Sequence, residues 1–352
     1  MEIVTQNWGG QMVIKREYIL VMASILCFIV GVIVGYLVIP KSTTQQASII
    51  VVDDLGRTVT LSSPPKRIIS VASAATRTLY DLGVLDRVVG VDKYSDDPPE
   101  AQNKTIVDPK NSEGILSLNP DLIIAWWYQQ SYLAPIEEVD IPVIYIHPQT
   151  IDGIMNDIML IGTAVGVPDK ARQLVADLRV KLGYIEDLVD NLTETYGRPY
   201  VYVELYKPYK TIGRDTFTHN MVELAGGINI AGNLTGYPTL SDEYIIQADP
   251  DIILYESDSL TYDDFASRPG WENITAIKEH RVYYLDRHIA TASPRFIEGL
   301  VFMVEKFFNV TVDLSSIGVP MKLSTQNGNN YTANVILSQR IFFGVPIYCE
   351  KQ

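Results

Sequence analysis

Two glutamates, Glu113 and Glu243, open near-copies of one short cassette. The first runs Ser112-Glu113-Gly114-Ile115-Leu116-Ser117-Leu118-Asn119-Pro120-Asp121-Leu122-Ile123-Ile124, and the second Asp242-Glu243-Tyr244-Ile245-Ile246-Gln247-Ala248-Asp249-Pro250-Asp251-Ile252-Ile253-Leu254. In each, a Pro-Asp pair follows the carboxylate by seven residues and leads into a buried-type strand. Upstream, Thr76–Gly83 is echoed by Thr218–Ala225. One acid repeated in one local frame offers two matched docking points. The plainer alternative is that each acid only complements the positive end of a short helix. The copies lie 142 and 130 residues apart, too far for a solenoid period. They predict two lobes on one plan with a cleft between them, which suits binding.

Other chemistry is sparse. His147, His219, His280 and His288 show no HExxH spacing, and Cys27 and Cys349 form no CxxC pair. There is no GxSxG nucleophile elbow and no GxxxxGK[ST] phosphate loop. A net charge of −14 argues against nucleic acid, which needs a basic face. These absences predict no catalysis, no resident cofactor and no resident metal site.

The elements that must position the two acids are legible as an α/β alternation. Ile49–Val52 and Thr58–Leu61 flank Asp54-Leu55-Gly56-Arg57, a hairpin signal. Strands at 67–71, 88–91, 122–126 and 143–146 alternate with helices at 74–82, 113–118, 131–138 and 151–165. A long amphipathic stretch, Pro168 to Glu194, carries Leu174, Leu178, Leu182, Ile185 and Leu188-Val189 on one stripe, and Gly197-Arg198-Pro199 ends it. It predicts a helix bridging the lobes. The plan then restarts, with strands at 200–205, 252–255 and 282–285, helices at 220–225, 243–247 and 294–308, and a loop over 256–281. The fold expected is α/β, two Rossmann-like lobes joined by a long rigid helix.

Tyr18–Ile39 is a run of 22 residues without a charge, about 33 Å as helix and enough to cross a bilayer core. Lys15 and Arg16 before it favour an inside N-terminus. A cleaved signal peptide and a lipid on Cys27 are the alternatives. The expected division is a cytoplasmic N-terminus at 1–17, a transmembrane anchor at 18–39 and a linker at 40–48. A first lobe at 49–167, a bridge at 168–196, a second lobe at 197–308 and a tail at 309–352 follow. Asn327-Gly328 gives the tail a hairpin cue. Sequons at Asn103, Asn191, Asn233, Asn273, Asn309 and Asn330 agree with an extracytoplasmic, glycosylated surface on a single-pass membrane protein.

Three stretches resemble the substrate-binding proteins of ABC importers for vitamin B12, ferric siderophores and haem, the cobalamin binder most of all. They are Val89 to Gln102, Glu113 to Trp126, and Ala292-Ser293-Pro294-Arg295. The resemblance covers about residues 65–308. It implies an extracytoplasmic monomer that captures an iron or cobalt chelate and delivers it to a permease dimer with ATPase subunits. It also implies that Glu113 and Glu243 engage permease arginines, whose forks bind carboxylates bidentately.

In such a fold the cleft is lined where strands end in loops. That selects Tyr94, Trp126, Trp127, Tyr128, Tyr206, Tyr209, Arg214, Arg287, His288 and Arg295. Flat aromatics suit a corrin, a porphyrin or catecholates. The arginines suit carboxylates of an anionic chelate, unless they form salt bridges within a lobe. Trp126 aligns with a cleft Trp of the cobalamin binder, whereas Val107 stands near the place of a second one. Of the adjacent Trp127 and Tyr128, one is expected to pack inward, and His288 or His219 is a candidate axial ligand. Other functions open to this pattern are a ligand sensor, a surface adhesin, and a binder of free Zn²⁺ or Mn²⁺.

Overall fold

The computed structural model describes the backbone of residues 4–6, 12–14, 16–38, 48–314, 321–324 and 330–333, with side chains at 20–31 and 48–314. Residues 1–47 and 48–352 are separate compact units. In the first, β1 (Val4–Gln6) pairs antiparallel with β2 (Met12–Ile14) ahead of helix α1 (Arg16–Val38). Among the described residues no helix is long and apolar enough to cross a membrane. The span expected over 18–39 lies partly outside the described side chains.

The second unit opens with the hairpin β3 (Ile49–Val52) and β4 (Thr58–Leu61). Its turn is tied by the Asp53 carboxylate, which accepts from the backbone N–H of Leu55 and Arg57 at 3.1 and 2.9 Å. The first lobe follows as β5 (Ile68–Val71), α2 (Ser73–Asp81), β6 (Val88–Val91), β7 (Thr105–Ile106), α3 (Ser112–Ser117), β8 (Leu122–Trp126), α4 (Gln130–Glu137), β9 (Val143–Ile146) and α5 (Ile151–Ala164). Its five strands are parallel in the order β7-β6-β5-β8-β9. Helix α6 (Pro168–Tyr196) leads to the second lobe. That lobe comprises β10 (Tyr200–Glu204), α7 (Phe217–Leu224), β11 (Ile228–Asn229), α8 (Asp242–Ala248), β12 (Ile252–Tyr255), α9 (Tyr262–Ala266), α10 (Thr275–Lys278), β13 (Val282–Tyr284), α11 (Arg287–Ala290) and α12 (Phe296–Phe308). Its four strands are parallel in the order β11-β10-β12-β13.

The side-chain alternation of the strands sorts the apolar residues into three cores. Leu122 and Ile124 of β8, Val201 and Val203 of β10, and Ile252 and Leu254 of β12 join one central core. Their neighbours face outward, Ile123 and Ala125 into a private core of the first lobe, Tyr202 and Ile253 into one of the second. Both faces of each sheet are therefore covered, which is why these strands read as continuous apolar runs.

Helix α6 runs through the central core. Leu178, Ile185, Val189 and Leu192 are buried on its inner stripe, against α5 on one side and α12 on the other. The close approach to α5 needs Gly162, because a Cβ there would overlap Ala171. Pro168 suits the first helical turn, and Gly197 at φ 77° ends the helix in a conformation that L side chains resist.

Two segments differ from expectation. The stretch at 256–281 is not an open loop, since it carries α9 and α10 around the fully buried Trp271. The tail expected from 309 begins packed, with Val310, Val312 and Leu314 against the central core. Beyond it, β14 (Met321–Ser324) pairs antiparallel with β15 (Asn330–Ala333), on either side of the Asn327-Gly328 cue. That dipeptide, and the apolar run Ile341–Tyr348 that the sequence carries further on, lie outside the described residues.

A core shared by both lobes predicts that residues 48–314 unfold as one unit. Ile185→Ala, at the centre of α6, should destabilise the chain by about 2–5 kcal/mol. Circular dichroism and tryptophan fluorescence should show one coincident transition, shifted as a whole. Two separated transitions, only one of them moved, would contradict the shared core.

Candidate functional site

The duplicated cassettes fold alike. Asn111 caps α3 by accepting from the Gly114 N–H at 3.0 Å, and Ser241 caps α8 by accepting from the Tyr244 N–H at 3.3 Å. Each short helix then turns through a left-handed residue, Asn119 at φ 47° and Asp249 at φ 45°. The following aspartates also match. Asp121 accepts from the N–H groups of Lys66 and Arg67, ahead of β5, and Asp251 from that of Tyr200, at the start of β10. The burial pattern repeats residue for residue over 111–120 and 241–250, with Glu113 and Glu243 exposed at the same place. Neither carboxylate makes an ion pair or side-chain hydrogen bond among the described residues. Each cassette thus presents one unspent carboxylate.

Because both sheets are parallel, their carboxyl ends supply the loops of the cleft. Asp92–Pro98 follows β6, Trp127–Gln129 follows β8, Leu205–Tyr209 follows β10, Glu256 follows β12, and Leu285–Asp286 lies between β13 and α11. The lobes meet there in ion pairs. Arg287 Nη2 reaches Asp96 Oδ2 at 2.5 Å, and His288 Nε2 lies 3.0 Å from Asp96 Oδ1. The other ring nitrogen of His288, Nδ1, is 2.7 Å from Asp286. Arg295 Nη1 donates to Asp97 Oδ1 at 3.1 Å, and Arg77 Nη1 approaches Asp97 Oδ2 at 3.4 Å. Burial raises the Asp96 pKa, but the His288 hydrogen bond, its own backbone N–H and the charges of Arg287 and His288 outweigh it and hold this carboxyl below its ordinary range.

Arg287 and Arg295, expected to meet an anionic ligand, and His288, a candidate axial ligand, are therefore engaged in a latch. Their salt bridges cross from lobe to lobe, or join neighbours such as Glu298, rather than waiting for a guest. Behind the latch a recess of about 20 Å³, lined in part by Ser73, Arg77, Asp97 and His288, has room for about one water and none for a chelate. His219 is also engaged, with Nδ1 3.1 Å from Asn229 Nδ2, and burial lowers its pKa. Among the described residues no three His, Cys, Asp or Glu side chains converge as a metal site.

The exposed candidates form two groups. On the first lobe Tyr94, Trp127 and Tyr128 are exposed. Burial and the neighbouring Asp92 raise the Tyr128 pKa. Trp127 and Tyr128 both face solvent with rings 86° apart, so the expectation that one packs inward is not met, and Trp127 lies against His147 at 4.6 Å. Trp126 is half-buried and packs on the central core. Val107 is buried in the outer core, so no aromatic stands at that place.

On the second lobe Tyr206 and Arg214 are exposed, and so is Tyr237, which sequence reasoning missed. Tyr209 instead joins the outer core, where Arg268 stacks over it and Trp271. Arg268 also forms a two-pronged pair with the buried Glu204, at 2.7 and 2.6 Å. Glu204 further accepts from Tyr202 Oη and the Tyr209 N–H, which fixes the root of the loop that carries Tyr206. Glu256, also missed, is a partly buried carboxyl at the end of β12. Burial pushes its pKa up to about 7.

Residues 68–288 match the family described as periplasmic binding protein. An uncharacterised ABC transporter substrate-binding lipoprotein of Bacillus subtilis is 30% identical over 278 residues, covering 76% of this chain and 88% of the relative. A cobalamin-binding protein of Halobacterium salinarum is 31% identical over 270 residues, covering 72% of each. A periplasmic heme-binding protein from Roseiflexus sp. RS-1, solved without ligand, superposes with a TM-score of 0.64 at 27% identity, covering 69% of this chain and 98% of that one.

The latch is directly testable. Partly exposed pairs are each worth about 0.2–1 kcal/mol, so Asp96→Asn at pH 7 should speed amide exchange in 93–97 and 287–290 several-fold while sparing α6. A carboxyl held below its ordinary pKa stabilises above the unfolded value and stops doing so as pH falls through the folded one. Acidification below the usual carboxylate range should therefore mimic the substitution. Unchanged exchange at both segments would leave the latch without mechanical effect.

Proposed function

This chain belongs to the periplasmic binding protein family, and from that premise we propose that it serves as the extracytoplasmic substrate-binding component of an ABC importer, carrying an iron or cobalt chelate to a permease. The family is one of binding proteins, not enzymes. The observation that carries the reading is the pair of exposed, unengaged carboxylates Glu113 and Glu243 in equivalent places on the two lobes. Two separated charge-assisted contacts fix orientation as well as affinity, because a single contact would leave the molecule free to swivel.

The cleft supports a flat ligand. Tyr94, Trp127 and Tyr128 on one side, with Tyr206 and Tyr237 on the other, offer ring faces for stacking. The relatives described above include cobalamin-binding and heme-binding proteins. We read the N-terminal segment, with helical backbone over Arg16–Val38, as the attachment to the membrane. A lipid on Cys27 is the competing mode, and the Bacillus subtilis relative is described as a lipoprotein. The asparagines of the five described sequons, Asn103, Asn191, Asn233, Asn273 and Asn309, are all exposed, as an outward-facing glycosylated surface requires.

The docking role is separable from ligand capture. Charge-assisted bonds are worth about 1.5–3 kcal/mol each, so losing both acids should weaken docking by at least about a hundredfold. Cells carrying Glu113→Ala with Glu243→Ala should lose uptake, single variants should be intermediate, and the purified double variant should bind its chelate as before. Full uptake by the double variant would remove docking from these residues. Loss of chelate binding would move them to the ligand site instead.

A further inference from the structure

Glu256 has no role in the latch or the docking cassettes. It sits at the carboxyl end of β12, where its backbone N–H donates to the Glu204 carbonyl of β10 at 3.0 Å. Its carboxylate has no hydrogen-bond or ion-pair partner among the described residues, although it is partly buried. The groups around it are phenols and acids. Tyr237 feels Glu256, Asp215 and Tyr206, and Tyr284 feels Asp286, Asp258, Glu256 and Arg287. The nearby cations are committed, Arg268 to Glu204 and Arg287 to Asp96. The Lys207 ammonium lies over the Tyr206 ring at 5.8 Å.

A half-buried carboxyl served only by water loses that water when a ligand covers it, so at a binding cleft its partner has to arrive with the ligand. That partner must bring N–H or O–H donors. A ligand carboxylate at the same spot would set two acids together, with Arg268 and Arg287 already paired and Lys207 held over the Tyr206 ring. Burial alone has already made Glu256 reluctant to ionise, which accentuates the penalty at alkaline pH.

We propose that Glu256 is a ligand-contacting residue that hydrogen-bonds N–H donors on the rim of the bound chelate, so that the cleft selects an amide-bearing macrocycle over its carboxylate-bearing counterpart. This rests on the reading of the cleft as a chelate site and adds the rim chemistry it selects. The residue deciding between neutral and acidic rims is then a carboxyl on the second lobe, not an arginine.

The test uses the full chain in detergent and two corrins with one ring system. Dicyanocobinamide carries amides at its rim and dicyanocobyrinic acid carries carboxylates, and absorption reports both. At pH 8 the wild-type chain should prefer the amide by at least about tenfold, the size of one hydrogen bond to a charged group. Affinity for the acid should rise as pH falls through about 7, because Glu256 then accepts its proton. Glu256→Gln should keep amide binding within about threefold, tighten acid binding about tenfold at pH 8, and flatten its pH dependence. Glu256→Leu should weaken amide binding about tenfold. If the leucine variant does not fold, the isosteric glutamine variant decides. Equal affinity of the wild-type chain for the two corrins, or discrimination unaltered in Glu256→Gln, overturns the proposal while leaving the chelate site standing. Failure of both corrins to bind the wild-type chain overturns the reading of the cleft and the proposal with it.

Discussion

One helix holds the two lobes together. α6 is 29 residues long, about 44 Å, and its buried stripe belongs to the same core as the inner faces of both sheets. A chain pair or flexible strand at this place would allow the lobes to hinge. A single helix whose side chains interdigitate with α5 and α12 resists bending, because bending would open voids on both sides at once. The packing therefore predicts a lobe spacing that is set before any guest arrives.

A fixed frame gives meaning to the charges placed on it. On the proposed reading, Glu113 and Glu243 serve as a gauge because packing through α6 holds the lobes that carry them at one spacing. Asp96 and Asp97 reach Arg287, His288 and Arg295 across the mouth because the frame holds them within bonding range. The same ion pairs consume Arg287 and Arg295, two of the three arginines expected to meet an anionic guest. What remains exposed at these loops is mainly aromatic, with Arg214 and the partly buried Glu256 as polar groups outside the latch. Affinity in such a cleft comes from ring contact, and selectivity from the few polar groups left unsatisfied.

Much of this was legible in the residues. The strands were readable because parallel, doubly covered strands are continuous apolar runs, and α6 because its stripe recurs at three and four residues between a Pro and a Gly. The cassettes were readable because duplication survives in the spacing of Glu, Pro and Asp. The short edge strands β7 and β11, two residues each, carry too little pattern to be seen. α9 was hidden inside a polar stretch, although Thr261 and Asp264 form a capping box at its start. The latch was beyond reach, since Asp96 and Arg287 are 191 residues apart and nothing local pairs them. Tyr237 and Glu256 were missed for a similar reason. A tyrosine in a turn and an acid after a strand are common, and only the fold puts them side by side. A basic pair beside an acid, as in Asp286-Arg287-His288, looked like ligand chemistry because sequence cannot show that a partner is already seated.

The central claim, a chelate held between two lobes of fixed spacing, is tested most directly by anomalous diffraction at the cobalt or iron edge from crystals of the loaded chain. A cleft-bound chelate should give one metal peak between the loops that follow β6 and β8 and those that follow β10 and β12, with the lobes spaced as in the empty protein. A peak on the outer surface of one lobe, or lobes displaced by a bend in α6, would contradict it.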